Sequence, residues 1–155
     1  MHVTDGGEGR EDCRLVHGPI DTAALVGLVA DPRAGANVLF VGTTRAVTDG
    51  VVTVGLEYEA HEGLALTTLG DLRDEALGRF GLCRCAVVHR LGPVLPGEAS
   101  VAIAVSAPHR REAFAAAEWL LERVKAVVPV WKCDEAADGG RRWIHPGDMR
   151  GGGAR

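Results

Sequence analysis

The chain has 155 residues, enough for one domain with its own core. Hydrophobic residues make up 46% and charged residues 25%, and the formal net charge is -4; a general nucleic-acid binder would carry a strong basic excess instead. No apolar run reaches the ~20 residues of a membrane span, and the opening "MHVTDGGEGREDCR" lacks the apolar stretch of a signal peptide, so the expected compartment is the cytoplasm.

Residues 1–14 read as a flexible arm, 15–148 as one domain and 149–155 as a flexible Gly-rich tail. Asp21 is placed to cap a short helix, "TAALVGLVA", that closes before Pro32. "ANVLFVGT" (36–43) is a compact apolar run and reads as a buried strand. "RAVTDG" reads as a loop with an Asp-Gly turn. "VVTVGLEYEA" (51–60) alternates as a strand, with Val52, Val54, Leu56 and Tyr58 on one face.

A helix is expected over roughly 63–80, with Leu66, Leu69, Leu72, Ala76 and Leu77 as its apolar stripe. A strand over 82–92, a Pro/Gly turn at "PVLPGE" and a strand over 100–107 follow. The last helix spans about 108–128, with Phe114, Ala117, Leu121 and Val124 facing inward, widened by Trp119 and Leu120. "WKCDE", "ADGG" and "RRWI" read as a closing hairpin. Strands outnumber helices and do not alternate with them, which predicts an α+β fold.

The four cysteines, Cys13, Cys83, Cys85 and Cys133, form no disulfide framework, and reduced thiols fit the expected compartment. Cys83, Cys85 and His89 share a strand parity, but residues six apart on a strand are ~20 Å apart, far beyond what one zinc ion spans. No metal site is expected.

The last helix breaks a local rule at its start, "SAPHRREAF". Ser106 is available as a cap and Pro108 suits the first turn. His109, Arg110 and Arg111 set cations at the positive end of the helix dipole, an unfavourable arrangement that also describes an anion site. Solvated surface charge is the plain alternative for both arginines. Lys125 lies in the last turn, where the dipole favours a cation. Lys132 follows Trp131 in a short strand and therefore points away from the tryptophan face. Arg45 follows the apolar strand at a loop, a common place for a site residue on a rigid base. Arg110 and Lys125 are 15 residues apart, or ~22 Å along one helix, a gap that long side chains close only in part, so the simplest way for one small ligand to touch both is to draw them from two copies of the chain.

"VLFVGTTR", "GLEYEAHEGLA", "VVHRLGPVLPGEASVAIAVSAPHRREAF" and "VPVWKCDE" together resemble the catalytic (large) subunits of molybdopterin synthase, over roughly residues 15–145. The resemblance implies a sulfurtransferase of molybdenum cofactor biosynthesis with an α/β hammerhead-type fold carrying additional antiparallel strands. It implies transfer of two sulfurs to cyclic pyranopterin monophosphate, making the molybdopterin dithiolene. The sulfur source is the C-terminal Gly-Gly thiocarboxylate of a small ubiquitin-like subunit. A homodimer is implied, extended to a heterotetramer by two small subunits, with no cofactor of its own. Substrate-binding positions carried over are Thr43, Thr44, Arg45, His109, Arg110, Lys125, Lys132, Cys133 and Asp134, with His109 and Arg110 reaching the site from the neighbouring copy. Lys125 and Lys132 are the implied catalytic pair, the first at the thiocarboxylate and the second at the pterin. The nucleophilic sulfur belongs to the partner, so no catalytic cysteine is needed. His61, Leu64 and Cys133 depart from the family pattern. The alternative is an inactive synthase-like dimeric scaffold that binds only the partner's tail.

Overall fold

The structure, a computed structural model, describes residues 8–10 and 12–144. The expected tail at 149–155 and most of the expected arm lie outside them. Among these residues ten strands and three helices run in the order β1 (Glu8–Arg10), β2 (Cys13–Val16), α1 (Thr22–Val29), β3 (Ala36–Thr43), β4 (Val47–Thr48), β5 (Val51–Ala60), α2 (Glu62–Phe80), β6 (Arg84–Arg90), β7 (Gly92–Val94), β8 (Ala99–Ala107), α3 (Arg110–Val127), β9 (Val130–Ala136) and β10 (Arg141–Ile144). The α+β expectation holds.

The first sheet has the order β1-β2-β6-β8-β3. Only β2–β6 is parallel. Its two central strands are covered on both faces, which is why "CAVVHR" and "SVAIAVSA" read as continuous apolar runs. Side-chain size divides the faces of β8. Ala102 and Ala104 pack with Leu25 and Val29 under α1, whereas Val101, Ile103 and Val105 join the larger core beneath α2 and α3. The small side chains let α1 lie close to the sheet.

The second sheet runs β10-β9-β5-β4, with β7 also paired to β5. Asp49 and Gly50 have φ of 51° and 77° and join Thr48 to Val51 in a two-residue hairpin. Both positions need positive φ, the reason Asp-Gly is favoured there. Asp21 caps α1 by accepting from the Ala24 N–H at 3.1 Å, and Gly81 ends α2 in the left-handed region.

Five expectations are corrected. Cys13 and Arg14 are not part of an arm. They lie in β2, with Cys13 buried beside Arg73, whose guanidinium meets Asp12 and Asp74 at 2.9 Å each. The strand β3 is an edge strand rather than a fully buried one, and Leu39 is 37% exposed, because only β8 pairs with it. The face of β5 is not uniform. A register shift between Thr53 and Gly55 buries Thr53 and turns Val52 and Val54 outward. On α3 the inward stripe is Ala113, Ala116, Ala117, Leu120 and Val124, while Phe114 is 63% exposed. Alanines admit the close approach of α3 to the sheet, and that rotates Phe114 out. Ser106 does not cap α3. It pairs in β8, and the N-cap is His109, with no side-chain bond.

Candidate functional site

Between the two sheets, at the C-terminal end of α3, lies a cavity of about 920 Å³. The end of β3 and the connection after it bring Thr43, Thr44 and Arg45. The last turns of α3 bring Leu121, Val124 and Lys125, and β9 brings Val130, Lys132 and Asp134. Strand parity explains the last set, since alternate residues of β9 face one way. Across the sheet, Tyr58 stands opposite Lys132 and Leu56 opposite Asp134.

Six of the nine sequence-derived binding positions are thus brought to one cavity: Thr43, Thr44, Arg45, Lys125, Lys132 and Asp134. Cys133 is not. It points to the other face of β9, is buried, and its Sγ lies 3.9 Å from the Asp134 carbonyl. A residue between two cavity-facing neighbours on a strand must face away. His109 and Arg110 are also outside this chain's cavity, exposed at the opposite end of α3 from Lys125.

The wall holds residues that sequence reasoning passed over, among them Thr48, Asp49, Tyr58, His89, Ser100 and Arg142. Tyr58 and His89 pack edge to face, with ring centroids 5.0 Å apart at 70°. His89 Nδ1 lies 2.8 Å from the Arg90 carbonyl oxygen. That oxygen only accepts, so Nδ1 carries the proton and Nε2 keeps its lone pair. Burial pushes the imidazole down to about 4, against the raising effect of the Arg90 carbonyl. His89 is therefore a neutral group among cations. Burial also raises the Tyr58 phenol, opposed by the neighbouring Ser100 hydroxyl. Arg142 is reached through the hairpin register, which pairs it with Asp134. For Tyr58 and Arg142 the signals were the parity of β5 and the closing hairpin, legible only once the partner strands are known.

Arg45, Lys125, Lys132 and Arg142 line the cavity together with two carboxylates, Asp49 and Asp134. A chain with a net charge of -4 therefore keeps a net positive cavity, suited to an anion. The Thr44 hydroxyl and Asp134 Oδ1 are buried with no hydrogen-bond partner among the described residues, polar capacity that a bound group can use. No group of three or more His, Cys, Asp or Glu side chains that could hold a metal ion occurs among the described residues. Among the same residues no helix is long and apolar enough to cross a membrane.

The family model described as MoaE protein matches residues 15–127. The molybdopterin synthase catalytic subunit of Emericella nidulans is 48% identical over 115 residues, covering 74% of this chain and 59% of that protein. The crystal structure of molybdopterin synthase from Staphylococcus aureus superposes with a TM-score of 0.80 at 38% identity, over 84% of this chain and 94% of that one. A chain from the complex of subunits 1 and 2 of the molybdopterin-converting factor of Helicobacter pylori superposes with a TM-score of 0.68 at 26% identity, over 86% and 88% of the two chains. Most residues that line the cavity fall inside the matched segment, with those of β9 and β10 beyond it, and the chain belongs to the MoaE family of molybdopterin synthase catalytic subunits.

Proposed function

We propose that the chain is the sulfurtransferase subunit of a molybdopterin synthase, moving two sulfurs from the C-terminal Gly-Gly thiocarboxylate of a small ubiquitin-like subunit to cyclic pyranopterin monophosphate. The observation that carries this reading is the convergence of Arg45, Lys125 and Lys132 on one cavity from three separate elements. Both reactants are anionic. Arg45 suits the cyclic phosphate, because a guanidinium offers several donors in a fixed fork. Lys125 is assigned to the thiocarboxylate, where an ammonium attracts the tail and polarises its carbonyl. Lys132 is assigned to the pterin. Either lysine can pass a proton as oxygen leaves and sulfur arrives.

The site of one copy is incomplete in this reading. Arg110 opens α3 and Lys125 sits in its last turn, ~22 Å away along the helix axis. His109 and Arg110 of a second copy complete the phosphate site across a two-fold interface, and a small subunit on each copy gives a heterotetramer. The complex of two converting-factor subunits in the Helicobacter pylori relative supports a two-component enzyme.

The test mixes the purified chain with thiocarboxylated small subunit and cyclic pyranopterin monophosphate and follows the dithiolene product. Product formation supports the reading. Tight binding of the small subunit without product supports an inactive scaffold instead.

A further inference from the structure

Arg45 is exposed on the short connection between β3 and β4, yet both of its neighbours are pinned. The Thr44 N–H donates to the Glu98 carbonyl at 3.0 Å, and the Gly97 N–H donates to the Thr44 carbonyl at 2.8 Å. On the other side, the Thr53 N–H donates to the Ala46 carbonyl at 2.8 Å. One anchor belongs to the turn between β7 and β8, the other to β5.

That turn has its own brace. The Glu98 N–H donates to the Leu95 carbonyl at 3.0 Å, and the Leu95 N–H donates to Glu98 Oε1 at 2.8 Å. The other carboxylate oxygen of Glu98 lies 3.5 Å from Nη1 of Arg90, whose side chain is only 10% exposed at the end of β6. Gly97 stands at φ of 85°, a conformation glycine adopts without strain. None of Arg90, Leu95, Gly97 and Glu98 lines the cavity. Their connection to it runs through the backbone of Thr44.

We propose that Glu98, braced by Arg90, is a positioning residue for Arg45. It closes the turn whose backbone fixes Thr44, and so sets the backbone position from which the Arg45 side chain reaches the cavity. An arginine on a mobile loop loses backbone as well as side-chain entropy each time it meets a phosphate, and one whose flanking backbone is already fixed has lost the backbone share beforehand. The inference rests on the assignment of Arg45 to the substrate phosphate.

Two measurements test it, one of them independent of the reaction. In Glu98→Ala, amide exchange at Thr44 and Gly97 is expected to speed up by about tenfold or more, with Val87 and Ile103 unchanged. KM for cyclic pyranopterin monophosphate is expected to rise about tenfold with kcat within about twofold, and the same substitution on an Arg45→Ala background is expected to change KM by less than about twofold. Glu98→Gln keeps an acceptor for the Leu95 N–H and is expected to restore both protection and KM to within about threefold of the unaltered chain. Retained protection at Thr44 and Gly97 in Glu98→Ala overturns the proposal, and so does a KM effect that adds in full to that of Arg45→Ala. If the unaltered chain forms no product while Glu98→Ala still loses that protection, the synthase reading fails and the clamp on the Arg45 segment stands.

Discussion

Tyr58 on β5 stands directly across from Lys132 on β9, and its ring meets the edge of His89 on β6. This places a tyrosine between a lysine of the second sheet and an imidazole of the first. Opposite residues on one face of an antiparallel pair have Cβ atoms ~5 Å apart, so Tyr58 limits where the Lys132 stem can go. The lysine is directed by its neighbour as well as by strand parity.

The two lysines are expected to fail differently. Lys125→Ala lowers kcat by about 10²–10³-fold with the protein still folded, because a group that stabilises developing charge is removed. Lys132→Ala lowers the rate and also raises KM for the pterin by about tenfold, the loss of one charge-assisted contact. Steady-state kinetics beside circular dichroism checks both. Near-normal turnover in Lys125→Ala removes its assigned role.

A site shared between two copies predicts complementation. Arg110→Ala and Lys125→Ala chains are each expected to be inactive alone. Mixed dimers put both lesions in one site and leave the other intact, so random mixing restores about a quarter of full activity for a two-fold dimer. Co-refolding followed by assay measures it. No recovery in verified mixed dimers counts against the shared site.

His89 links stability to acidity. Its folded value of about 4 lies below the ordinary 6.5, so between these limits the unfolded chain binds the extra proton. Stability from this group is complete above about pH 6.5 and is lost as pH falls toward 4, a change of about 3 kcal/mol. Urea unfolding at pH 7.5 and pH 4.5 is expected to show the loss, and His89→Gln to reduce it. An identical pH dependence in His89→Gln contradicts the assignment.

Gly35 is a packing test for the start of α3. A Cβ built at Gly35 would stand 2.5 Å from the Pro108 carbonyl oxygen, and the Gly35 N–H already donates to the Ala107 carbonyl at 3.0 Å. Gly35→Ala must therefore push Pro108 aside, at a cost of about 1–3 kcal/mol. Because His109 and Arg110 follow at once, the same change is expected to raise KM for the pterin. A thermal melt and KM together check it. Unchanged values in both place the clash elsewhere.

Local patterns fixed more of the fold than of the site. Asp21, Asp49-Gly50 and Gly81 mark their elements because each satisfies backbone groups or φ angles within a few residues. The basic residues were visible as departures from such rules, Arg110 at a helix start and Lys132 beside Trp131. Phe114 and Val52 were misplaced because periodicity says that a face exists, not where a neighbouring alanine stripe or a bulge will turn it.

By itself, then, the sequence determined most of the elements and the α+β class through local chemistry, and it was the resemblance to the large subunits of molybdopterin synthase that picked out Arg45, Lys125 and Lys132 as a set. Only the tertiary structure decided that these three share a cavity while Cys133 and Arg110 do not. The reason is that cavity walls are made by strand pairing and helix ends far apart in the chain. It also showed Thr44 held by Glu98 and Gly97, more than fifty residues away, contacts that no spacing along the chain encodes.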